Sequence, residues 1–279
     1  MTLREARATG YQRLKDTSES PVLDILILLE WVMALPREKI LAEPERLLTA
    51  GEEAGFLSAL ARRAEGVPVA WITGVKEFYG RLFRVRDEVL CPRPDTEVLV
   101  EAALAWLGTG PEPGTPVLDA CTGTGCVGLT LLAEHPLLDL TCTDISPWAK
   151  GVFDENNSKL CGGRARFVLT DLVKGLTGPW RLIVSNPPYL TSDETEKRVD
   201  DGWLEPALAL DGGTDGLFYL EKLIILSKGL LLPGGALMLE AGAFQGEALA
   251  ALFEKHGYDK ITSYKDLAGR HRVTSGIYG

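Results

Sequence analysis

The stretch Val117-Leu118-Asp119-Ala120-Cys121-Thr122-Gly123-Thr124-Gly125-Cys126-Val127-Gly128 reads as an apolar strand that runs through a glycine turn into a helix. Glycine permits backbone angles that a side chain forbids, so the chain can turn sharply there and approach a ligand closely. Gly123, Gly125 and Gly128 satisfy the G-x-G-x-x-G spacing of nucleotide-binding turns. Spacing alone is a weak sign. A stronger one is an acidic residue closing the next strand, about 20 residues on, and Asp144 stands there. Its carboxylate would accept hydrogen bonds from ribose hydroxyls, in NAD or in S-adenosylmethionine alike. The loop points to an adenosine-type ligand and leaves its identity open.

Working outward from this loop, strand-like apolar runs occur at 116–119, 138–143, 165–169, 182–185 and 236–239, with helical stretches such as 97–107 and 217–231 between most of them. Such alternation implies a mainly parallel sheet covered by helices, and 260–264 with 272–278 suggest an antiparallel pair at one edge. Residues 1 to about 65 carry helical patterns only. Val22 to Val32 is apolar on most faces, with Pro21 suiting its first turn and Pro36 ending it. A further helix is expected over roughly 45–65. From Glu77 to Leu90 the residues alternate as in a hairpin, and the prolines of Cys91-Pro92-Arg93-Pro94-Asp95-Thr96-Glu97 favour an extended segment that offers Asp95 or Thr96 as a helix cap. The expected division is a helical domain over 1–74, a hairpin linker over 75–94 and an α/β domain over 95–279.

Composition narrows the function classes. With 46% hydrophobic and 24% charged residues the chain supports a buried core rather than disorder. The apolar run from Val22 to Leu35 is broken by Asp24 and Glu30 and is too short to span a bilayer, so no membrane association is expected. No basic-then-apolar leader opens the sequence, and the five cysteines form no C-x-x-C pair, which suits free thiols in the cytoplasm. The net charge of −10 is awkward for a protein that grips DNA phosphates. His135, His256 and His271 have no cysteine or serine partners that would suggest a metal or a nucleophile, so no metal is expected.

Ser185-Asn186-Pro187-Pro188-Tyr189 follows the fourth strand, at the end where ligands bind in open α/β sheets. Chance would place Asn-Pro-Pro-Tyr in a chain of this length on the order of once in a thousand. Its chemistry suits a planar group that carries an NH2. The Asn186 side-chain oxygen and the Pro187 carbonyl can each accept one of the two N–H bonds. Pro187 and Pro188 fix the backbone and lack donors of their own, and Tyr189 offers a flat face. An amide nitrogen is a poor nucleophile because its lone pair is delocalised. Acceptors holding both hydrogens would favour the pyramidal geometry in which that pair can attack.

The Asn-Pro-Pro-Tyr segment resembles that of amino-group methyltransferases that use S-adenosylmethionine. The wider pattern is similar to the HemK/PrmC family of protein-(glutamine-N5) methyltransferases. It includes Pro68-Val69-Ala70-Trp71-Ile72-Thr73-Gly74 with Glu77-Phe78-Tyr79-Gly80, and Pro92-Arg93-Pro94-Asp95-Thr96-Glu97. It continues through Glu205-Pro206-Ala207-Leu208-Ala209-Leu210, Gly212-Gly213-Thr214-Asp215-Gly216-Leu217 and Lys265-Asp266-Leu267-Ala268-Gly269-Arg270. Two departures are Cys121, where the family has Gly, and Trp71, where it has Tyr. The resemblance implies the class I S-adenosylmethionine-dependent methyltransferase fold: Rossmann-like α/β, with a mainly parallel sheet, an antiparallel edge and a small all-α N-terminal domain. It implies S-adenosylmethionine as cofactor and the glutamine of the Gly-Gly-Gln motif in peptide chain release factors as substrate. By this resemblance Cys121, Thr122, Gly123, Thr124 and Gly125 line the cofactor's amino-acid end, Asp144 its ribose, Asp171 and Leu172 its adenine. Asn186 touches both cofactor and substrate. Asn186, Pro187 and Tyr189 are the expected catalytic residues, and Pro188 joins them in holding the substrate. The helical domain is expected to recognise the protein substrate, and Glu205 and Asp215 are expected to be structural.

Transfer is expected to be direct and in line, without a covalent enzyme intermediate. Three alternatives remain at this point. A ribosomal-protein glutamine methyltransferase would carry nearly the same motifs. A DNA methyltransferase acting on adenine N6 or cytosine N4 would also hold a planar NH2, but it must flip the base and hold phosphates, against the acidic charge. A cofactor-binding module without catalysis would leave Asn186-Pro187-Pro188-Tyr189 unexplained.

Overall fold

The computed structural model describes residues 1–279, and the chain divides into two compact units. The first comprises Met1–Val75 with Gly202–Leu204. Its helices are α1 (Leu3–Leu14), α2 (Pro21–Met33), α3 (Arg37–Ala42), α4 (Ala50–Ala64) and α5 (Val69–Thr73). The helix expected from residue 45 begins only at Ala50, because Thr49 caps it. The Thr49 hydroxyl accepts from Glu52 N at 3.3 Å while the Glu52 carboxylate accepts from Thr49 N at 2.7 Å. Leu28, Leu29 and Ile25 of α2 meet Leu3 and Leu14 of α1 and Phe56 and Leu60 of α4 in one apolar cluster. Asp24, inside this apolar helix, is neutralised by Arg63 at 2.6 Å.

The second unit comprises Lys76–Asp201 with Glu205–Gly279. Strands β1 (Val75–Phe78) and β2 (Arg81–Arg84) form a two-stranded hairpin. The hairpin expected as a connector contributes Phe78 and Phe83 to the core of this larger unit. After it come α6 (Glu97–Leu107), β3 (Pro116–Ala120), α7 (Cys126–Glu134), β4 (Asp139–Asp144), α8 (Pro147–Cys161), β5 (Arg166–Leu169) and β6 (Trp180–Ser185). The remainder is α9 (Ser192–Asp200), α10 (Phe218–Ser227), β7 (Leu231–Glu240), α11 (Gly246–Lys255), β8 (Tyr258–Lys265) and β9 (His271–Tyr278).

Seven strands form one sheet in the order β5-β4-β3-β6-β7-β9-β8. The pairs from β5 to β7 are parallel, and β9 enters antiparallel between β7 and β8. This is the class I methyltransferase architecture expected from the sequence. Its parallel strands are apolar on both faces because helices cover both. Val117 and Leu182 belong to one core cluster, and their neighbours Leu118 and Ile183 to the other. The order in which strands are added to the sheet reverses at β3, which pairs with β4 on one side and β6 on the other. The carboxyl ends of β3 and β6 therefore flank the crevice at which such sheets bind ligands.

Candidate active site

The glycine loop leaves β3 and enters α7. Cys121 has φ +58° and Gly125 φ +82°, both in the left-handed region. At Cys121 the chain keeps that conformation despite carrying a side chain. Gly125 has no such option: a Cβ there would lie 2.7 Å from Leu129 Cδ1 and 2.8 Å from Phe153 Cδ2. Asp119, buried at the end of β3, accepts from the Thr122 hydroxyl at 2.5 Å and from Gly128 N at 2.9 Å. Burial pushes its carboxyl up to about 7, against the pull of those two donors. Asp144 ends β4 and accepts from Gly123 N at 2.8 Å and Ser146 N at 2.9 Å, so it braces the loop across the neighbouring strand. Burial raises its pKa too.

These residues line a cleft of about 1100 Å³, open mouth included. Cys121, Thr122, Gly123, Thr124, Asp144, Asp171, Leu172, Asn186 and Pro188 all reach it, so most of the expected site residues are brought together. Gly125, Pro187 and Tyr189 do not line it. Asp171 pairs with Lys222 at 2.9 Å, and Leu172, at φ +53°, turns its carbonyl to the Thr143 hydroxyl at 2.7 Å.

The cleft distinguishes between the two adenosine ligands left open above. A dinucleotide places its pyrophosphate on the first-turn N–H groups of the helix. Here Asp119 already occupies the Gly128 N–H, and Asp144 holds Gly123 N, which makes the loop acidic. Such a floor suits a ligand with a sulfonium and an ammonium group, as S-adenosylmethionine has. The donor set therefore fits that cofactor.

The second half of the site is Asn186-Pro187-Pro188-Tyr189, leaving β6. Asn186 donates from Nδ2 to the Thr96 hydroxyl at 3.2 Å, which leaves its Oδ1 as the acceptor it can offer a substrate. Burial, reinforced by Glu240, pushes the Tyr189 phenol far above its usual range, so the ring stays neutral. The Tyr189 carbonyl accepts from Gln245 Nε2 at 2.9 Å. A Cβ on Gly212 would stand 2.8 Å from the Pro188 oxygen, and one on Gly216, at φ +71°, would overlap the Tyr189 carbonyl. The Gly212-Gly213-Thr214-Asp215-Gly216 segment is thus small where it lies directly on the tetrapeptide. Asp215 accepts only from Leu217 N, at 2.9 Å, a local turn. Glu205 is buried, pairs with Arg93 and accepts from Cys91 N at 3.1 Å.

The helix-cap reading of Asp95 and Thr96 is corrected by the structure. Thr96 makes no side-chain cap to α6. Asp95 pairs instead with Arg272 at 2.7 Å, and Glu97 accepts from Tyr79 N at 2.9 Å. Arg272 also reaches Asp266 at 3.0 Å, so it ties together the motifs around Asp95 and Asp266. For Asp266, burial alone would raise the pKa. The Arg270 backbone N–H and the Arg272 and Arg270 side chains outweigh it and hold the carboxyl at about 2. Sequence reasoning did not single out Asp119 or Gln245, and it read Thr96 as a cap. Of these, Asp119 left a signal, as a charged residue at the end of an apolar strand.

A family model described as the PrmC N-terminal domain matches residues 5–74, and one described as the Methyltransferase small domain matches residues 97–210. The chain is 37% identical over 267 residues to a protein of Salmonella typhimurium named release factor glutamine methyltransferase, covering 95% of each. It is 44% identical over 224 residues to the protein of that name from Cereibacter sphaeroides, covering 80% of this chain and 78% of the other. Among solved structures, a methyltransferase from Pyrococcus furiosus matches with a TM-score of 0.54 and 18% identity, over 83% of this chain and 100% of that one. That likeness concerns the fold.

Proposed function

The chain belongs to the release factor glutamine methyltransferase family, and from that membership and the geometry of the crevice we propose that it transfers a methyl group from S-adenosylmethionine to N5 of the glutamine in the Gly-Gly-Gln motif of peptide chain release factors. The observation that carries this reading is Asn186, whose Nδ2 donates to Thr96 and leaves Oδ1 as the acceptor it can offer. When bound, the cofactor supplies an electrophilic methyl on a positively charged sulfur.

The chain's own residues do the rest. Cys121, Thr122, Gly123, Thr124 and Gly125 form the turn against which the cofactor's amino-acid end rests, and Asp144 receives its ribose hydroxyls. Asp171 and Leu172 border the adenine. Asn186 Oδ1 and the Pro187 carbonyl take the two amide hydrogens, Pro188 keeps the segment rigid, and the neutral Tyr189 ring lies against the planar amide. No charged nucleophile is needed from the protein. The acceptors stabilise positive charge as it develops on the amide nitrogen, in a site whose dipoles are already oriented. The helical domain over residues 1–74 is assigned to recognition of the protein substrate, the hairpin over 75–94 to the link, and 95–279 to catalysis. No helix is long and apolar enough to cross a membrane. The setting proposed is the cytoplasm, where release factors act.

The test is to incubate the purified chain with labelled S-adenosylmethionine and, separately, release factors, ribosomal proteins and DNA, and to locate the label by peptide mass spectrometry. Label on the Gly-Gly-Gln glutamine is expected. Label confined to a ribosomal-protein glutamine or to DNA would overturn the reading.

A further inference from the structure

Asp171 and Leu172, assigned above to the adenine, follow β5 and line the crevice together with Tyr219 in the first turn of α10. Leu172 is buried, and its carbonyl accepts from the Thr143 hydroxyl at 2.7 Å, which fixes the backbone of this corner. The Asp171 side chain is held from elsewhere. Lys222 Nζ of α10 donates to its Oδ2 at 2.9 Å, across 51 residues of sequence, and Oδ1 takes no hydrogen bond from the protein. Tyr219 and Lys222 stand three residues apart on the helix, so they share a face, and Tyr219 turns that face to the crevice. Lys222 is steadied in turn: its Nζ lies 5.9 Å from the centre of the Phe218 ring, and Phe218 meets Tyr219 edge-on at 5.0 Å.

Adenine carries an amino group, which donates, where hypoxanthine carries an oxygen, which accepts. A carboxylate oxygen fixed opposite that position accepts from the first and repels the second. The Asp171 side chain is 40% exposed, so nothing but its partner stops it from turning away. Where Oδ1 points is therefore decided by what holds Oδ2. We propose that Lys222 is a positioning residue for the cofactor: by holding Asp171 Oδ2 from α10 it directs Oδ1 at the adenine amino group, and so sets the preference for adenine over a base with oxygen in that place. The proposal rests on the reading that Asp171 borders the adenine. An ion pair that only decorated the surface would affect ligands of either base alike, or neither.

The experiment needs no turnover and no acceptor protein. The purified full chain is titrated by calorimetry with S-adenosylhomocysteine and with S-inosylhomocysteine, which differ at that position of the base. Lys222→Met is expected to weaken the adenine ligand about threefold to fivefold while leaving the inosine ligand unchanged, so that discrimination between them narrows. Lys222→Arg, which keeps the charge, is expected to restore it. Asp171→Ala is expected to weaken the adenine ligand at least as much, and Lys222→Met made in that background is expected to add nothing. Lys222 is half-buried and on the outer side of the pair, so its melting midpoint is expected to stay at the wild-type value in Lys222→Met.

Wild-type affinity for the adenine ligand in Lys222→Met, or equal losses for the two ligands, would overturn the role of Lys222. So would losses that add in the double variant, because Lys222 would then act other than through Asp171. The reading beneath it fails separately: if Asp171→Ala binds S-adenosylhomocysteine as the wild type does, Asp171 does not border the adenine and the proposal falls with that assignment. If Asp171→Ala binds weakly while Lys222→Met binds normally, the assignment of Asp171 stands and Lys222 alone is refuted.

Discussion

The glycine-loop side of the crevice is held by bonds between sequence neighbours and one adjacent strand, whereas the amide side leans on side chains from distant elements. Asp119 reaches Thr122 and Gly128, three and nine residues along, and Asp144 reaches Gly123 from the strand beside it. Asn186, by contrast, leans on Thr96, 90 residues earlier, and the Tyr189 carbonyl on Gln245, 56 residues later. The first half can form once β3 and β4 pair. The second exists only when the residues before α6, after β6 and before α11 have all come together. Binding the cofactor and orienting the amide are therefore separable properties, with separate supports.

The sharpest test of that separation is Asn186→Ala. Turnover is expected to fall by about 10²–10³-fold or more, as when one preorganised polar group is removed from a transition state. Cofactor affinity, measured by calorimetry, is expected to survive largely intact. Equal losses in both would show that the two halves are one unit.

Next in size is the reverse experiment, Gly125→Ala. The added Cβ meets Leu129 and Phe153 at a residue with φ +82°. The combined strain and overpacking is expected to cost about 2–4 kcal/mol in denaturant unfolding. Cofactor affinity should drop with it. A variant of normal stability that binds cofactor normally would contradict the account of the loop.

The smallest effect concerns the acid beneath the loop. Asp119 has its carboxyl raised from the ordinary range to about 7, so it takes up a proton on folding. Its contribution to stability is complete below the ordinary carboxylate range and is lost as pH rises through about 7. Relative to Asp119→Asn, the wild type is expected to lose about 2–4 °C of melting midpoint between about pH 5 and 8. Parallel midpoint curves for the two proteins would mean that Asp119 stays ionised.

Much of this arrangement was legible beforehand for a physical reason. Strand 117–120, the glycine turn and Asp144 form a local pattern in which each residue's task is set by near neighbours or by one strand pairing. Asn186-Pro187-Pro188-Tyr189 was legible because two prolines and an asparagine at a strand end have few other uses. The start of α4 was misplaced because Leu47 and Leu48 continue the apolar pattern, while the Thr49–Glu52 capping box decides where the helix begins. Thr96 was misread for a related cause. A threonine before a helix is usually a cap, but its hydroxyl went to a partner that sequence spacing does not reveal.

The sequence by itself determined the alternation of strands and helices, the turn that receives an adenosine-type ligand and the residues that can hold an amide NH2. The tertiary structure alone decided which end of the Asn186 amide is left free, because Thr96 accepts from its Nδ2. A side-chain amide carries a donor and an acceptor of nearly the same shape, and only what packs behind it distinguishes them. Here that is Thr96, buried and brought from before α6 to accept from Asn186 Nδ2.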